Sequence, residues 1–198
     1  MSGQQRPKTA LSSRTVHHTP WMRVREDRIV EPDGHVSLFG VVERAPFVVV
    51  LCAVRADSII LLRQFRYAAG RWLWELPQGG VEDGEDLARA AARELREETG
   101  WRADRVTVLL NGLYEAGDWA TQTFGVALVD PGGRETLGPC PGEYVSDVRA
   151  VPARELNRMI LAGEIVDPPT ICALHVWEHY RIQSKAEVKL QGSGLPGC

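Results

Sequence analysis

The chain has 198 residues, a hydrophobic fraction of 44%, a charged fraction of 25% and a formal net charge of −3. That is enough for one well-buried domain and little for two, in the composition of an ordinary soluble globular protein. The slight acidity gives no sign of the basic surface that general nucleic-acid binding uses and weakens that reading, while a nucleotide in a small site needs only a few local cations.

The polar opening MSGQQRPKTALSSRT reads as a flexible tail over residues 1–15 and carries no signal-peptide hydrophobic region. Trp21 to Val30 and His35 to Glu43 flank Pro32-Asp33-Gly34, a turn sequence, and so predict a hairpin. Phe47 to Val54 is a β-branched run suited to a strand buried on both faces. Strands follow at Ser58 to Arg66, Trp72 to Leu76, Val106 to Tyr114, Thr121 to Val129 and Glu143 to Val151. Helices are predicted from Asp86 to Thr99, stopping at Gly100, from Pro152 to Ala162, and from Pro169 to about Ile182. Residues 183–198 again read as a tail, which leaves 16–182 as a single domain. Strands with a helix between them and helices at the end imply an α/β sandwich with a mixed sheet. Cys52, Cys140, Cys172 and Cys198 form no CxxC pair, and no apolar run reaches membrane-spanning length. A reduced cytoplasmic setting is expected, with no membrane partner.

The helix from Asp86 carries Arg93-Glu94-Leu95-Arg96-Glu97-Glu98. At about 100° per residue, Glu94, Glu97 and Glu98 share one face, and Leu95, Ala88, Ala91 and Ala92 turn toward a neighbouring one. Like charges one turn apart disfavour an isolated helix by a few tenths of a kcal/mol, roughly, unless a cation sits on them. Carboxylates in such an array are the hard oxygen ligands that Mg²⁺ or Mn²⁺ prefers. A solvated acidic face balanced by Arg93 and Arg96 is the alternative for the helix taken alone.

The surroundings decide between the two. Gly79 is followed after five residues by Glu85, and after seven more by Arg93-Glu94-Leu95, with Glu97-Glu98 and Gly100 completing the spacing. This arrangement resembles the Nudix box at every fixed position, with Trp101 where the family usually has an aliphatic residue. Beyond the box, Gln64-Phe65-Arg66, Trp74-Glu75-Leu76-Pro77 and Gly163-Glu164-Ile165-Val166-Asp167 with Thr170 resemble the ADP-ribose pyrophosphatase branch of Nudix hydrolases. The resemblance implies an α/β/α sandwich with an N-terminal antiparallel strand extension, a homodimer, and Mg²⁺-dependent cleavage of a phosphoanhydride bond, with Mn²⁺ as a possible substitute.

It further implies that Glu94 and Glu98 are the main metal ligands, with Glu97 as a further ligand or water partner and the Gln78 backbone carbonyl in the inner shell. Glu85 and Arg93 form a scaffold ion pair, Gly79 and Gly80 let the loop approach the helix and turn tightly, and Gly100 caps it. Arg66 is a candidate phosphate clamp, since a guanidinium fork matches phosphate oxygens. Glu75 contacts substrate or orients the loop. Trp21 either stacks on an adenine or packs on the first strand. For the general base, Glu143 has about the right position in the chain, with Asp147 and Glu97 as competitors. The expected partner is a small nucleoside diphosphate derivative, ADP-ribose first. The missing Pro beyond the box and Gln78 in place of Ala leave another NDP-sugar such as GDP-mannose as the alternative. A non-catalytic nucleotide-sensing module is a third reading.

Overall fold

A computed structural model of the chain describes residues 8–54, 57–135 and 144–192, with side chains to residue 183. The organising strand is β4 (Phe47–Cys52), buried at five of its six residues. Side chains alternate across a strand. Val49 and Leu51 therefore enter one apolar cluster and Val48, Val50 and Cys52 another on the opposite face.

Around β4 run a hairpin-like pair, β5 (Ser58–Arg66) and β6 (Arg71–Glu75), then a short strand β7 (Gln78–Gly80) and the helix α1 (Leu87–Thr99). The chain continues through β8 (Trp101–Tyr114), β9 (Thr123–Arg134), β10 (Val145–Pro152), α2 (Ala153–Leu161) and α3 (Pro168–Gly192). One sheet has the order β7-β4-β9-β8, mixed because β4 and β9 are parallel and the other pairs antiparallel. A second, antiparallel sheet has the order β10-β5-β6.

Ala90, Ala91 and Leu95 of α1 pack on the Val48 side, whereas Leu156 and Met159 of α2 and Leu174 and Trp177 of α3 pack on the Val49 side. This is the expected α/β/α sandwich. Fully buried side chains such as Leu51 and Leu61 each stabilise it by about 1.5–3 kcal/mol.

The expected N-terminal extension is a separate antiparallel sheet, β1 (Thr9–His18), β2 (Arg23–Val30) and β3 (Val36–Glu43), in the order β1-β2-β3. Its β1 starts at Thr9, inside the stretch read from sequence as tail. A backbone ladder to β2 forms it without any buried side chain. Trp21 lies in the turn before β2 rather than on a strand. At the other end α3 continues past Ile182, because residues 183–191 contain no Gly or Pro and are mostly good helix formers.

Candidate active site

The acidic helix face is placed by capping at both ends of α1. Asp86 accepts from the Arg89 amide at 2.8 Å. Gly100 takes the left-handed conformation with φ of 77°, and its amide closes on the Arg96 carbonyl at 2.9 Å. Glu94 and Glu98 are turned inward, only 6% and 8% exposed, while the Glu97 side chain is 47% exposed. The predicted shared face thus divides into two inward carboxylates and one at the rim.

Against this face lies β7. A Cβ placed on Gly79 would sit 2.1–2.2 Å from the Glu94 carboxyl, so only glycine lets the strand come this close. Gly80 has open space at the same point. The strand's alternation then aims its backbone. Pro77 O accepts from Val50 N on β4, and Val81 N donates to Pro46 O, so the odd positions face the sheet. The even positions face the helix: Gln78 N donates to Glu98 Oε2 at 2.9 Å, and Gly80 O accepts from Arg93 Nη2 at 2.7 Å. By the same alternation the Gln78 carbonyl points toward the helix and its acids.

Arg93 ties the box together. It donates to both Glu85 oxygens at 3.0 and 2.9 Å, to Glu94 Oε1 at 2.6 Å and to Glu97 Oε2 at 3.2 Å. Glu85 in turn accepts from the Glu82 amide at 3.1 Å. These hydrogen bonds from Arg93 hold the Glu85 carboxyl below its ordinary range, and Glu85 raises the arginine correspondingly. The scaffold pair read from the sequence is therefore present.

Arg66 and Glu75 are also brought together, from adjacent strands. Arg66 Nε lies 3.1 and 2.9 Å from the two Glu75 oxygens, and Nη2 lies 2.5 Å from Oε2. Glu75 is wholly buried, and burial pushes its carboxyl above the ordinary range although the Arg66 fork opposes this. Its Oε2 also accepts from Gln78 Nε2 at 2.9 Å. Glu75 thus sits between Arg66 and the Gln78 side chain of the loop. Just beyond, Leu76 N donates to Thr170 Oγ1 at 3.0 Å, and Thr170 N donates to Asp167 Oδ2 at 2.9 Å. This contact, which spans 94 residues, gives the run to Thr170 a structural place that its residues alone do not indicate.

Other expected residues lie elsewhere. Trp21 is 79% exposed, its backbone amide on Thr19 Oγ1 at 3.3 Å. Asp147 pairs with Arg63, which puts it on the sheet face opposite Gln64 and Arg66. Glu143 lies outside the described residues. Among the described residues, no three His, Cys, Asp or Glu side chains gather closely enough to hold a metal ion by themselves. Two inward carboxylates beside a strand carbonyl nevertheless make a hard-oxygen set, and a hard divalent cation that keeps waters or phosphate oxygens in its shell fits it.

A NUDIX domain profile matches residues 44–174, which takes in the whole of this arrangement. The chain belongs to the Nudix hydrolase family. The preceding segment, residues 9–42, matches a second profile, the nucleoside diphosphate sugar hydrolase N-terminal domain, and coincides with the β1-β2-β3 sheet. The chain is 33% identical to an ADP-ribose pyrophosphatase of Mycobacterium tuberculosis over 83% of its own length and 80% of that protein's. It is 29% identical to a CMP-5'-(N-acetyl-N-hydroxy-3-aminopropyl)phosphonate hydrolase of Streptomyces rubellomurinus, over 81% of this Nudix chain and 77% of the relative. A crystal structure titled as an ADP compounds hydrolase superposes with a TM-score of 0.76 at 20% identity, covering 98% of this chain and 99% of that one, which shows a common fold.

Proposed function

We propose that this Nudix hydrolase cleaves the phosphoanhydride bond of a nucleoside diphosphate joined to a second group, with ADP-ribose, giving AMP and ribose 5-phosphate, as the first substrate. The observation that carries the reading is the pair of inward carboxylates, Glu94 and Glu98, facing the Gln78 backbone beside the Arg66–Glu75 fork. The similarity to an ADP-ribose pyrophosphatase over most of both chains supports the substrate.

Glu94, Glu98 and the Gln78 carbonyl would hold Mg²⁺, for which Mn²⁺ can substitute. When bound, the ion supplies charge neutralisation on the diphosphate and acidifies water. Arg93 keeps Glu94 in place and offsets its charge and that of Glu97. Arg66, 37% exposed while its Nε and Nη2 are fixed on Glu75, turns its remaining N–H groups toward a phosphate. Glu97, at the rim, orients the attacking water or takes its proton, and Glu143 is the second candidate for that role.

A homodimer is part of the proposal. All ten residues of β1 are exposed, and Leu11, Val16, Leu38 and Phe39 leave apolar surface on the N-terminal sheet that a second copy would cover. Trp21, free in its turn, would then be available to stack on the nucleotide of the partner's site. No helix among the described residues is long and apolar enough to cross a membrane, which fits the cytoplasmic setting we propose. Residues 16–182 would act as one catalytic unit.

The N-terminal match to nucleoside diphosphate sugar hydrolases favours a second reading, in which the substrate is another NDP-sugar such as GDP-mannose. Turnover of a panel of ADP-ribose, GDP-mannose, dinucleotides and nucleoside triphosphates, with Mg²⁺ and with Mn²⁺, distinguishes these. ADP-ribose is expected to give the highest kcat/KM. A preference for any other member overturns the substrate, and ligand binding without metal-dependent turnover would make the protein a nucleotide sensor.

A further inference from the structure

We infer that Gln78 is a positioning residue whose side chain sets, through Glu75, the orientation in which Arg66 meets the substrate's phosphate. The inference rests on the reading of Arg66 as a phosphate clamp and adds a residue to it. Gln78 does two separate things. Its backbone amide holds Glu98 Oε2, and its side-chain Nε2 holds Glu75 Oε2, each at 2.9 Å. Because Arg66 forks the same buried carboxylate, an unbroken path of hydrogen bonds runs from Arg66 through Glu75 and Gln78 to the acidic helix.

The carboxamide can face only one way. Exchanging its nitrogen and oxygen would set Oε1 against the Glu75 carboxylate, acceptor to acceptor. In the orientation found, Gln78 Oε1 is buried and has no hydrogen-bond partner among the described residues. A buried acceptor of that kind costs stability. An apolar side chain of similar length would fill the space without the cost, so the side chain's return lies in the Nε2 bond. That bond supplies Glu75 with a donor independent of Arg66. It fixes the carboxylate plane, and with it the edge of the guanidinium that is left for substrate.

The two functions of Gln78 can be separated, because Gln78→Met removes the side-chain donor and leaves the backbone bond to Glu98. Steady-state kinetics on ADP-ribose with Mg²⁺ would compare the full-length wild type, Q78M, R66A and the double variant. Q78M is expected to raise KM about tenfold with kcat within about twofold, to have no further effect in the R66A background, and to keep or raise the thermal midpoint. Q78A, which removes the donor with less bulk in a tight space, must give the same rise in KM. An unchanged KM in both variants, a fall in kcat in place of the rise, or full additivity with R66A overturns the inference. If R66A alone leaves KM unchanged, the clamp reading falls as well; if R66A raises KM and Q78M is additive, only the role of Gln78 falls.

Discussion

β1 and β4 are both regular strands, yet they are held by different physics. β4 loses almost all its surface to the two apolar clusters, one on each face. β1 buries nothing: its ten residues are all exposed, and it is held by the ladder to β2 and by ion pairs. Those pairs are Lys8–Glu31 at 3.1 Å and Arg14–Glu26 at 2.8 Å, with Arg25–Glu43 at 2.7 Å between β2 and β3. Exposed pairs of this kind are worth about 0–1 kcal/mol each, less in salt, whereas a single buried leucine contributes about 1.5–3 kcal/mol. The core region therefore stands by itself. The N-terminal sheet is joined to it through Val42, whose amide donates to Trp119 O at 2.9 Å and whose carbonyl accepts from Thr121 N at 2.9 Å.

The largest test acts on the core side. Glu98→Gln should lower kcat by roughly a thousandfold, the several kcal/mol that loss of a metal ligand costs, with the fold intact by circular dichroism. A loss under tenfold would take Glu98 out of the ligand set. Next is Gly79→Ala, which displaces the Glu94 carboxyl or moves β7 off it. Urea unfolding should show a loss of about 1–3 kcal/mol together with most of the activity. Unchanged stability would mean that β7 can retreat freely.

Glu85→Gln is a smaller perturbation with a signed pH dependence. Arg93 depresses the Glu85 carboxyl in the folded state, so the pair stabilises above the unfolded pKa and loses its contribution as pH falls through the folded one. Wild type should exceed E85Q by up to about 1 kcal/mol at neutral pH, and the two should converge in acid. A gap that persists below the folded pKa would assign the effect to packing. The smallest effect belongs to the exposed sheet. Amide exchange in β1 should quicken in 1 M salt and slow with rising protein concentration, while β4 ignores both. Exchange in β1 that is independent of concentration would count against the homodimer.

The sequence made β4, β5 and α1 legible because each carries its own signal. β5 follows its apolar run from Ser58 to Arg66, and α1 lies between Asp86 and Gly100, the residues that cap it. β1 carries none, since TALSSRTVHH buries no face and its order depends on a neighbour. β7 is three residues long and contains two glycines, so its extended form comes from its pairing with β4 rather than from a signal of its own. The site divides the same way. Glu94, Glu98 and Arg93 are neighbours on one helix and could be read together. Arg66 and Glu75 could be named, but not their fork, because the register of β5 on β6 sets it.

The bond from Leu76 to Thr170 bears on how the protein is made. Every residue of the box has been synthesised by Trp101, but the segment leading into it is anchored to a hydroxyl that comes 94 residues after Leu76. A nascent chain emerging N-terminus first would carry all its carboxylates well before the loop beside them could settle. The acidic face of α1 and the loop beside it should therefore be among the last features to mature, so that a half-made chain with the full motif would not yet hydrolyse anything.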